Sequence, residues 1–320
     1  MTDRALGPGK ARGLATASTA EGVFTILAID HRDSLRVVLR PDDPQGVAPS
    51  AITALKLDLL RGLADRASAV MLEPEYSAAQ AILTRSLPGS VGFLAAVEAQ
   101  GYLGDPEATR TTLLEGWGVE KAKRLGASGI KLLVLYRPDS GPVAEAQEQT
   151  VDEVIADCAR YDTPLFLEPL LYERPGIGDD RRALVVETVR RLGRLGPDIL
   201  KVQFPLDIGL VDDRAVWREA CAELDSVAPV PWALLSGGGS FERFREQLAV
   251  ACDAGASGFM VGRALWGEYV TAPRDQQPEL MQTVLQPRFE ELAAIAVRDG
   301  RAWWTRQALP RVDEQWYRTY

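Results

Sequence analysis

Six charged residues lie inside or at the end of short apolar runs, where an ionisable side chain needs a functional or structural reason. The segments are Ala-Ile-Asp, Met-Leu-Glu, Gly-Ile-Lys, Phe-Leu-Glu, Ile-Leu-Lys and Val-Gly-Arg, and the charges are Asp30, Glu73, Lys131, Glu168, Lys201 and Arg263. Amines, carboxylates and a guanidinium serve nucleophilic catalysis, proton transfer and anion binding. The set therefore indicates covalent chemistry at an amine, assisted by acids and bases.

Lys201 is the best candidate for the nucleophile. In the run from residue 199 to 205, Lys201 and Gln203 alternate with apolar residues, so these two side chains share one face of a strand. Burial beside a second cation favours the neutral amine, which is the form that makes a Schiff base with a carbonyl group. For Lys201 taken alone, a purely structural ion pair is the alternative interpretation.

Lys131 and Glu168 lie in the two runs that precede Lys201, so we expect the three side chains to converge from consecutive strands. Lys131 would favour the neutral form of Lys201 and bind a substrate oxygen. Glu168 would move protons during carbinolamine dehydration and carbon–carbon cleavage. Asp30, at the end of the first run, is a further active-site candidate that would contact a hydroxyl or an ammonium group.

A second group of candidates would bind a phosphate. Ser236, Gly237 and Gly238 follow the seventh run, and Gly262 and Arg263 end the eighth. Glycine lets backbone N–H groups approach an anion closely, and Arg263 supplies a fixed charge. This pattern matches the phosphate site of many barrel enzymes, although tight turns use the same glycines.

His31 is the only histidine, so the multi-histidine site of a zinc aldolase cannot form and no metal or other cofactor is predicted. His31 and its neighbour Arg32 follow the first run, and Arg137 follows the fourth. Either arginine is expected to bind a distal anionic group of the substrate. His31 would add a pH-dependent donor near its usual pKa of about 6.5, and a purely structural role is the alternative interpretation of this residue.

These residues would be positioned by eight alternating strands and helices. The short apolar runs cover residues 24–30, 69–74, 91–97, 129–136, 164–171, 199–205, 231–238 and 258–263. Amphipathic segments between them cover residues 51–68, 111–126, 147–161, 179–195, 213–228 and 240–255. The order predicts one α/β domain over residues 1–320, a (β/α)8 TIM barrel with strands from about 24 to 263 and active-site residues at the strand ends.

Residues 273–320 form a predicted C-terminal extension, with a helical run over 279–298. Its aromatic residues are expected to cover the barrel or a subunit interface, and a homo-oligomer is expected. They are Trp303, Trp304, Trp316 and Tyr317.

Composition excludes several partner classes. The net charge is −9 and the sequence pI is about 4.9, so the chain lacks the basic surface that nucleic acid or an anionic membrane would require. No apolar run follows the N-terminal residues, so a cytoplasmic location is expected. The three widely spaced cysteines, Cys158, Cys221 and Cys252, predict buried thiols.

Together these motifs resemble the class I tagatose-1,6-bisphosphate aldolases, a family that includes the sulfofructose-phosphate aldolases. The resemblance runs from about residue 23 to 266 and rests on Ala-Ile-Asp-His-Arg, Gly-Ile-Lys-Leu-Leu, Phe-Leu-Glu-Pro-Leu, Leu-Lys-Val-Gln-Phe-Pro, Leu-Leu-Ser-Gly-Gly and Gly-Arg-Ala-Leu-Trp. It implies that Lys201 is the Schiff-base lysine. It also implies that Lys131, Glu168 and Asp30 are active-site residues.

The resemblance further implies a sugar phosphate as substrate, with dihydroxyacetone phosphate as one product and an aldehyde such as glyceraldehyde 3-phosphate as the other. One departure concerns His31, where the tagatose enzymes usually have glutamine. The alternative is cleavage of 6-deoxy-6-sulfofructose 1-phosphate to dihydroxyacetone phosphate and sulfolactaldehyde. A non-catalytic sugar-phosphate sensor is a third hypothesis, which does not explain a buried nucleophile.

Overall fold

The computed structural model describes residues 6–99, 105, 110–174, 180–207, 209–309, 311–318 and 320. Eight parallel strands of this described chain pair in sequence order, and the last pairs with the first to close a barrel. They are β1 (Phe24–Ala28), β2 (Ala69–Leu72), β3 (Gly92–Ala96), β4 (Gly129–Leu135), β5 (Leu165–Leu170), β6 (Ile199–Val202), β7 (Trp232–Leu235) and β8 (Gly258–Val261). The predicted TIM barrel is confirmed.

At least one helix separates each strand from the next. The described α-helices are α1 (Pro8–Ala17), α2 (Asp33–Leu39), α3 (Pro49–Leu63), α4 (Ala78–Leu83), α5 (Val119–Leu125), α6 (Pro142–Arg160), α7 (Arg181–Leu195), α8 (Arg214–Val227), α9 (Phe241–Ala254), α10 (Arg263–Thr271), α11 (Gln277–Leu280) and α12 (Gln286–Asp299). Within the described residues, none of the helices is long and apolar enough to cross a membrane.

Two predicted helix boundaries differ from the structure. The helix predicted over 111–126 begins only at Val119, because residues 112–114 are hydrogen-bonded to residues 97–99, just after β3, and Leu113 bridges Glu98. The helix predicted from residue 147 begins earlier, at Pro142, where proline suits the first turn. The predicted start of the next helix, Asp179, lies outside the described residues.

Helix α1 has no counterpart among the predicted elements, and it covers the amino-terminal end of the barrel. A Cβ atom at Gly13 would lie 2.2 Å from the Ser128 carbonyl oxygen, so glycine permits this close contact. Leu14 and Ala17 pack into one buried cluster with the inward-facing side chains of the strands. The barrel interior is therefore closed at the end opposite the strand carboxyl termini.

In the C-terminal extension, one of the four aromatic residues named above covers the barrel as predicted, and the other three are exposed. Trp303 is 2% exposed and joins the same interior cluster, so it covers the barrel as expected. Trp304, Trp316 and Tyr317 are 43%, 40% and 60% exposed, which leaves them at the surface of this chain. The predicted helical run appears as α11, a π-helical segment (Met281–Leu285) and α12.

The three cysteines are buried thiols, as predicted. Cys158, Cys221 and Cys252 lie in α6, α8 and α9, and burial raises the pKa of each thiol above its ordinary value. Because the thiolate is the reactive form, these side chains act as small apolar groups in the helix layer.

Candidate active site

Inward-facing positions of the barrel change from apolar to charged towards the carboxyl ends of the strands. The lower positions form the buried interior cluster, which includes Phe24, Met71, Phe166 and Met260. Above them lie five ionisable residues, each at most 7% exposed: Asp30, Glu98, Lys131, Glu168 and Lys201. The Lys201 Nζ atom is 3.8 Å from Met71 Sδ, which marks the boundary between the two layers.

Lys131 is the centre of this charged layer. Its Nζ atom lies 2.8 Å from Asp30 Oδ2, 2.6 Å from Glu98 Oε1 and 3.2 Å from Glu168 Oε2. The three carboxylates come from β1, β3 and β5 or the residues that follow them, so the ion cluster spans the barrel. One ammonium group therefore holds three carboxylates that would otherwise repel one another.

The cluster keeps its members charged despite their burial. Burial alone would raise the pKa of Asp30, but the charges of Lys131 and Lys201 outweigh it and hold that pKa well below its usual range. Burial also works against ionised Glu168, yet the same two lysines lower its pKa. Burial alone would lower the pKa of Lys131, but the three carboxylates raise it well above its ordinary value.

Lys201 and Glu168 form the second ion pair of the layer. The Lys201 Nζ atom lies 2.8 Å from Glu168 Oε1, and the two side chains are 6% and 8% exposed. Both line a cavity of about 260 Å³. Asp30, Lys131 and Gln203 line it as well, so the structure brings these five predicted residues together around one space.

The predicted phosphate loops form one wall of the same cavity. Ser236, Gly237 and Gly238 follow β7, and Gly262 and Arg263 follow β8. Ser236 Oγ accepts a hydrogen bond of 3.3 Å from the Gly262 N–H, which joins the two loops. Gly237 and Gly238 have φ values of 57° and 80°, a backbone conformation that favours glycine.

Arg263 gives this wall its charge. A Cβ atom at Gly238 would lie 3.4 Å from the Arg263 guanidinium, so the cation sits against the glycine loop. No carboxylate among the described residues pairs with Arg263, which is exposed. An anionic group of a ligand can therefore contact the Arg263 guanidinium and the backbone N–H groups of the glycine loop at the same time.

His31 lies beside this wall and is uncharged, contrary to the prediction of a pH-dependent donor. Its ring packs edge-on against Trp266, with 5.0 Å between ring centroids. A Cβ atom at Gly262 would lie only 2.9 Å from His31 Cε1, so the imidazole fits closely between them. Burial lowers the pKa of His31 to about 3, although nearby Asp30 opposes this shift.

Two polar atoms of the cavity wall lack a hydrogen-bond partner among the described residues. They are His31 Nδ1 and Ser34 Oγ, and both are buried. An unsatisfied buried polar group costs about 1–3 kcal/mol, so such atoms favour a ligand that supplies the missing partner. Ser34 is a candidate substrate contact that the sequence patterns did not indicate.

The pH profile of kcat/KM is expected to contain no transition from the ionisation of His31 between pH 5.5 and 8. The folded-state pKa of about 3 lies far below this range, so the imidazole stays neutral throughout it. The pH profiles of the wild type and His31→Gln should therefore have the same shape, even if their levels differ. An ionisation near pH 6.5 that disappears in His31→Gln would contradict this prediction.

The structure places Arg32 and Arg137 away from the role predicted for them. Arg32 is 2% exposed and donates 2.7 Å and 2.8 Å hydrogen bonds to Glu75 Oε2 and the Glu98 carbonyl oxygen. Arg137 is 1% exposed and binds Asp139 through two nitrogens, each at 3.0 Å. Neither lines the cavity, because carboxylates within the protein already occupy both guanidinium groups.

Two further carboxylates at the strand ends, Glu73 and Glu98, have roles that were not predicted from the sequence. Glu73 is fully buried, accepts from Lys56 Nζ at 2.6 Å and lies outside the cavity, so it is a structural ion-pair member. Glu98 lines the cavity and was missed because the predicted third strand ended at Val97. Its signal was available, since Leu94, Ala96 and Glu98 continue one period-2 face.

The carboxylates of this cluster contact lysine ammonium groups. Among the residues that the structure describes, no group of three or more His, Cys, Asp or Glu side chains is arranged to hold a metal ion. The carboxylates that converge in the cavity are instead bridged by the Lys131 ammonium group.

Solved structures of aldolases share this fold. An archaeal fructose 1,6-bisphosphate aldolase aligns with a TM-score of 0.63 at 21% identity and covers 89% of this chain and 98% of its own. The fructose-bisphosphate aldolase of Plasmodium falciparum aligns with a TM-score of 0.68 at 16% identity and covers 93% and 98%. At these identities the likeness establishes the architecture alone.

Sequence comparison gives the family. The tagatose 1,6-diphosphate aldolase of Streptococcus agalactiae serotype V is 28% identical over 92% of this chain and 97% of its own length. Tagatose 1,6-diphosphate aldolase 2 of Streptococcus mutans is 27% identical over 83% and 86%. The profile described as DeoC/LacD family aldolase matches residues 24–268, which include all eight strands and every residue of the charged layer. The chain therefore belongs to the DeoC/LacD family of aldolases, and it is a lyase.

Proposed function

We propose that this aldolase cleaves a ketose 1,6-bisphosphate of the tagatose type through a Schiff base at Lys201. The products are dihydroxyacetone phosphate and glyceraldehyde 3-phosphate. The observation that carries the proposal is the buried Lys201–Glu168 pair, at 2.8 Å, in a cavity that is also lined by Arg263, which no described carboxylate pairs with. The nucleophile, its proton acceptor and a phosphate-binding cation thus face one space.

Imine formation uses the Lys201–Glu168 pair. Proton transfer from the Lys201 ammonium to Glu168 leaves a neutral amine, which attacks the substrate carbonyl carbon C2. The carbonyl oxygen gains a proton and becomes the carbinolamine hydroxyl. Glu168 can then protonate that hydroxyl so that it leaves as water, and the nitrogen lone pair forms the protonated imine.

Carbon–carbon cleavage uses that imine as the electron acceptor. A carboxylate of the cavity removes the proton from the C4 hydroxyl, the C3–C4 bond breaks, and its electron pair moves to the imine as an enamine. Asp30 and Glu168 are the cavity carboxylates that lie beside both lysines. Protonation at C3 and hydrolysis then release dihydroxyacetone phosphate and regenerate Lys201.

The relatives support this proposal. The streptococcal proteins carry the name tagatose 1,6-diphosphate aldolase, and their similarity covers most of both chains. An archaeal fructose-1,6-bisphosphate aldolase with the same architecture has its catalytic lysine covalently bound to a carbinolamine intermediate. The same covalent chemistry at Lys201 accounts for a buried lysine at the floor of the cavity.

Borohydride treatment tests the proposal. We expect sodium borohydride with dihydroxyacetone phosphate to inactivate the enzyme and to attach one reduced three-carbon adduct to Lys201, because reduction of the imine is irreversible. Peptide mass mapping locates the adduct, and borohydride without the ketone phosphate is the control. An adduct at Lys131 would exchange the two lysine roles, and the absence of any adduct from an enzyme that cleaves the substrate would exclude a Schiff base.

A further inference from the structure

The phosphate loops of β7 and β8 account for only one of the two anionic groups of a ketose bisphosphate. The other group needs a cation near the mouth of the cavity, and the sequence restricts the choice. In the loops that follow the strands, residues 100–104, 106–109, 175–179 and 208 contain no lysine or arginine, so every cationic side chain of these loops lies in the described part of the chain. Each arginine between a strand end and the following helix can therefore be considered in turn.

Most of these arginines already bind a protein oxygen through their charge. Five of them pair with a carboxylate: Arg32 with Glu75 at 2.7 Å, Arg40 with Asp43 at 3.2 Å, Arg110 with Glu153 at 3.1 Å, Arg137 with Asp139 at 3.0 Å and Arg174 with Asp139 at 3.2 Å. Arg36 is buried and donates from both terminal nitrogens, to the Val47 carbonyl oxygen at 2.6 Å and to the Tyr76 hydroxyl at 3.1 Å. A substrate anion would have to displace these partners.

Arg181, the first residue of α7, differs from them. Its Nε atom donates a 3.3 Å hydrogen bond to the Phe204 carbonyl oxygen, and no described carboxylate lies within ion-pair distance of its guanidinium. Burial lowers its pKa, while Asp207 and Glu173 act on it only through longer-range attraction. A half-buried cation without an ion-pair partner is stabilised by any oxyanion that reaches it.

The position of Arg181 suits the far end of an extended substrate. Phe204 follows Gln203, which lines the cavity and accepts a 2.7 Å hydrogen bond from the Leu171 N–H. Phe204 lies three residues beyond Lys201, which is about 10 Å along an extended chain. Arg181 follows β5 and contacts the segment after β6, so it lies one to three strands around the barrel from β7 and β8, beyond the residues that line the cavity.

We propose that Arg181 binds the distal oxyanion of the substrate, a phosphate or a sulfonate on C6, and thereby determines substrate specificity. This inference rests on the proposed function, because it assumes that a ketose 1-phosphate is already held between Lys201 and Arg263. The proximal phosphate and the distal oxyanion then bind two arginines that have no ion-pair partner among the described residues.

Variants of Arg181 test the assignment with four substrates: tagatose 1,6-bisphosphate, fructose 1,6-bisphosphate, 6-deoxy-6-sulfofructose 1-phosphate and fructose 1-phosphate. Arg181→Gln should lower kcat/KM by roughly 10- to 100-fold for whichever C6 oxyanion the wild type prefers, because a charge-assisted contact is lost. For fructose 1-phosphate, which lacks that group, the change should stay within about twofold. Arg181→Lys should recover part of the loss.

Arg182→Gln is the matched control. Arg182 is the next residue on α7, but its Nε atom pairs with Glu223 of α8 at 2.6 Å. The Arg182→Gln substitution should leave kcat/KM unchanged for all four substrates. A wild-type preference for the bisphosphates or for the sulfonate distinguishes the two sources of the oxyanion.

Two outcomes would overturn the assignment of Arg181 and leave the proposed function standing. They are an equal loss for all four substrates in Arg181→Gln, and full activity of that variant on the preferred C6 oxyanion. A wild-type enzyme that cleaves none of the four substrates would instead refute the proposed function itself.

Discussion

Replacing Lys201 with methionine is expected to abolish carbon–carbon cleavage while the barrel stays folded, with kcat falling by at least about 10,000-fold. No other described side chain can take over the imine, because the amine of Lys131 is enclosed by three carboxylates. Methionine has a similar length, and Lys201 Nζ already lies 3.8 Å from Met71 Sδ, so an apolar side chain fits there. Glu168 keeps its ion pair with Lys131 at 3.2 Å.

The measurement is dihydroxyacetone phosphate release at saturating substrate, together with the thermal unfolding midpoint. Lys56→Met is the matched control, since Lys56 is also a fully buried lysine in an ion pair but lies outside the cavity. It should lower the unfolding midpoint because Glu73 loses its partner, yet its folded fraction should still form the borohydride adduct at Lys201. Turnover by Lys201→Met above one part in about 100 of the wild type would show that another residue is the nucleophile.

The sequence was sufficient to predict the barrel because alternation is a local property. Each short apolar run is followed by an amphipathic segment, and consecutive parallel strands joined by helices have few ways to pack. The ends of the strands were less predictable. Val97 closes the apolar run of β3, but the inward face continues to Glu98, since the period of two persists beyond the hydrophobic residues.

The convergence of the catalytic candidates was also predictable, because it follows from strand order. Lys131, Glu168 and Lys201 occupy three consecutive strands on their inward faces, so closure of the barrel brings them together. Asp30 joins them because β1 completes the ring. None of these four positions required knowledge of a loop conformation.

The partners of the surface charges could not be predicted in this way. Arg32 and Arg137 occupy the expected places after β1 and β4, but loop conformations bring Glu75 and Asp139 to their guanidinium groups. Burial of His31 against Trp266 likewise depends on a contact between residues more than 200 positions apart. Helix α1 lacked a strong pattern because its glycines serve close packing on the barrel instead of helix propensity.

Replacing Lys131 with methionine is expected to have the second largest effect, on stability as well as on activity. The substitution leaves Asp30, Glu98 and Glu168 buried close together, with Lys201 and Arg32 as the remaining nearby cations. Breaking a buried ion pair from one side costs about 3–5 kcal/mol, because the partner charge stays desolvated. We therefore expect a loss of that size in the free energy of unfolding at pH 7.

The loss should depend on pH in a definite direction. Lys131 and Lys201 lower the pKa of Asp30 and of Glu168 against the effect of burial, so these carboxylates stabilise the wild type above their ordinary pKa near 4. The carboxylates raise the pKa of Lys131, so its contribution is present below about 10.5 and is lost as pH rises through the folded-state value. The difference between wild type and Lys131→Met should thus be largest from about pH 5 to 10 and should shrink as pH falls below 4.

Urea unfolding at pH 3, 5.5, 7 and 8.5 measures this difference, and a second substitution separates charge from packing. In Lys131→Met/Glu98→Gln, the carboxylate that lies 2.6 Å from Lys131 Nζ becomes a neutral amide, so one buried charge fewer is left without its partner. The double variant should therefore be more stable than Lys131→Met at pH 7, and the two should converge as the pH falls and the remaining carboxylates are protonated. Equal stability of the two variants at pH 7 would mean that the cost of losing Lys131 comes from packing. In that case the charged layer would owe its arrangement to the chemistry at Lys201 alone.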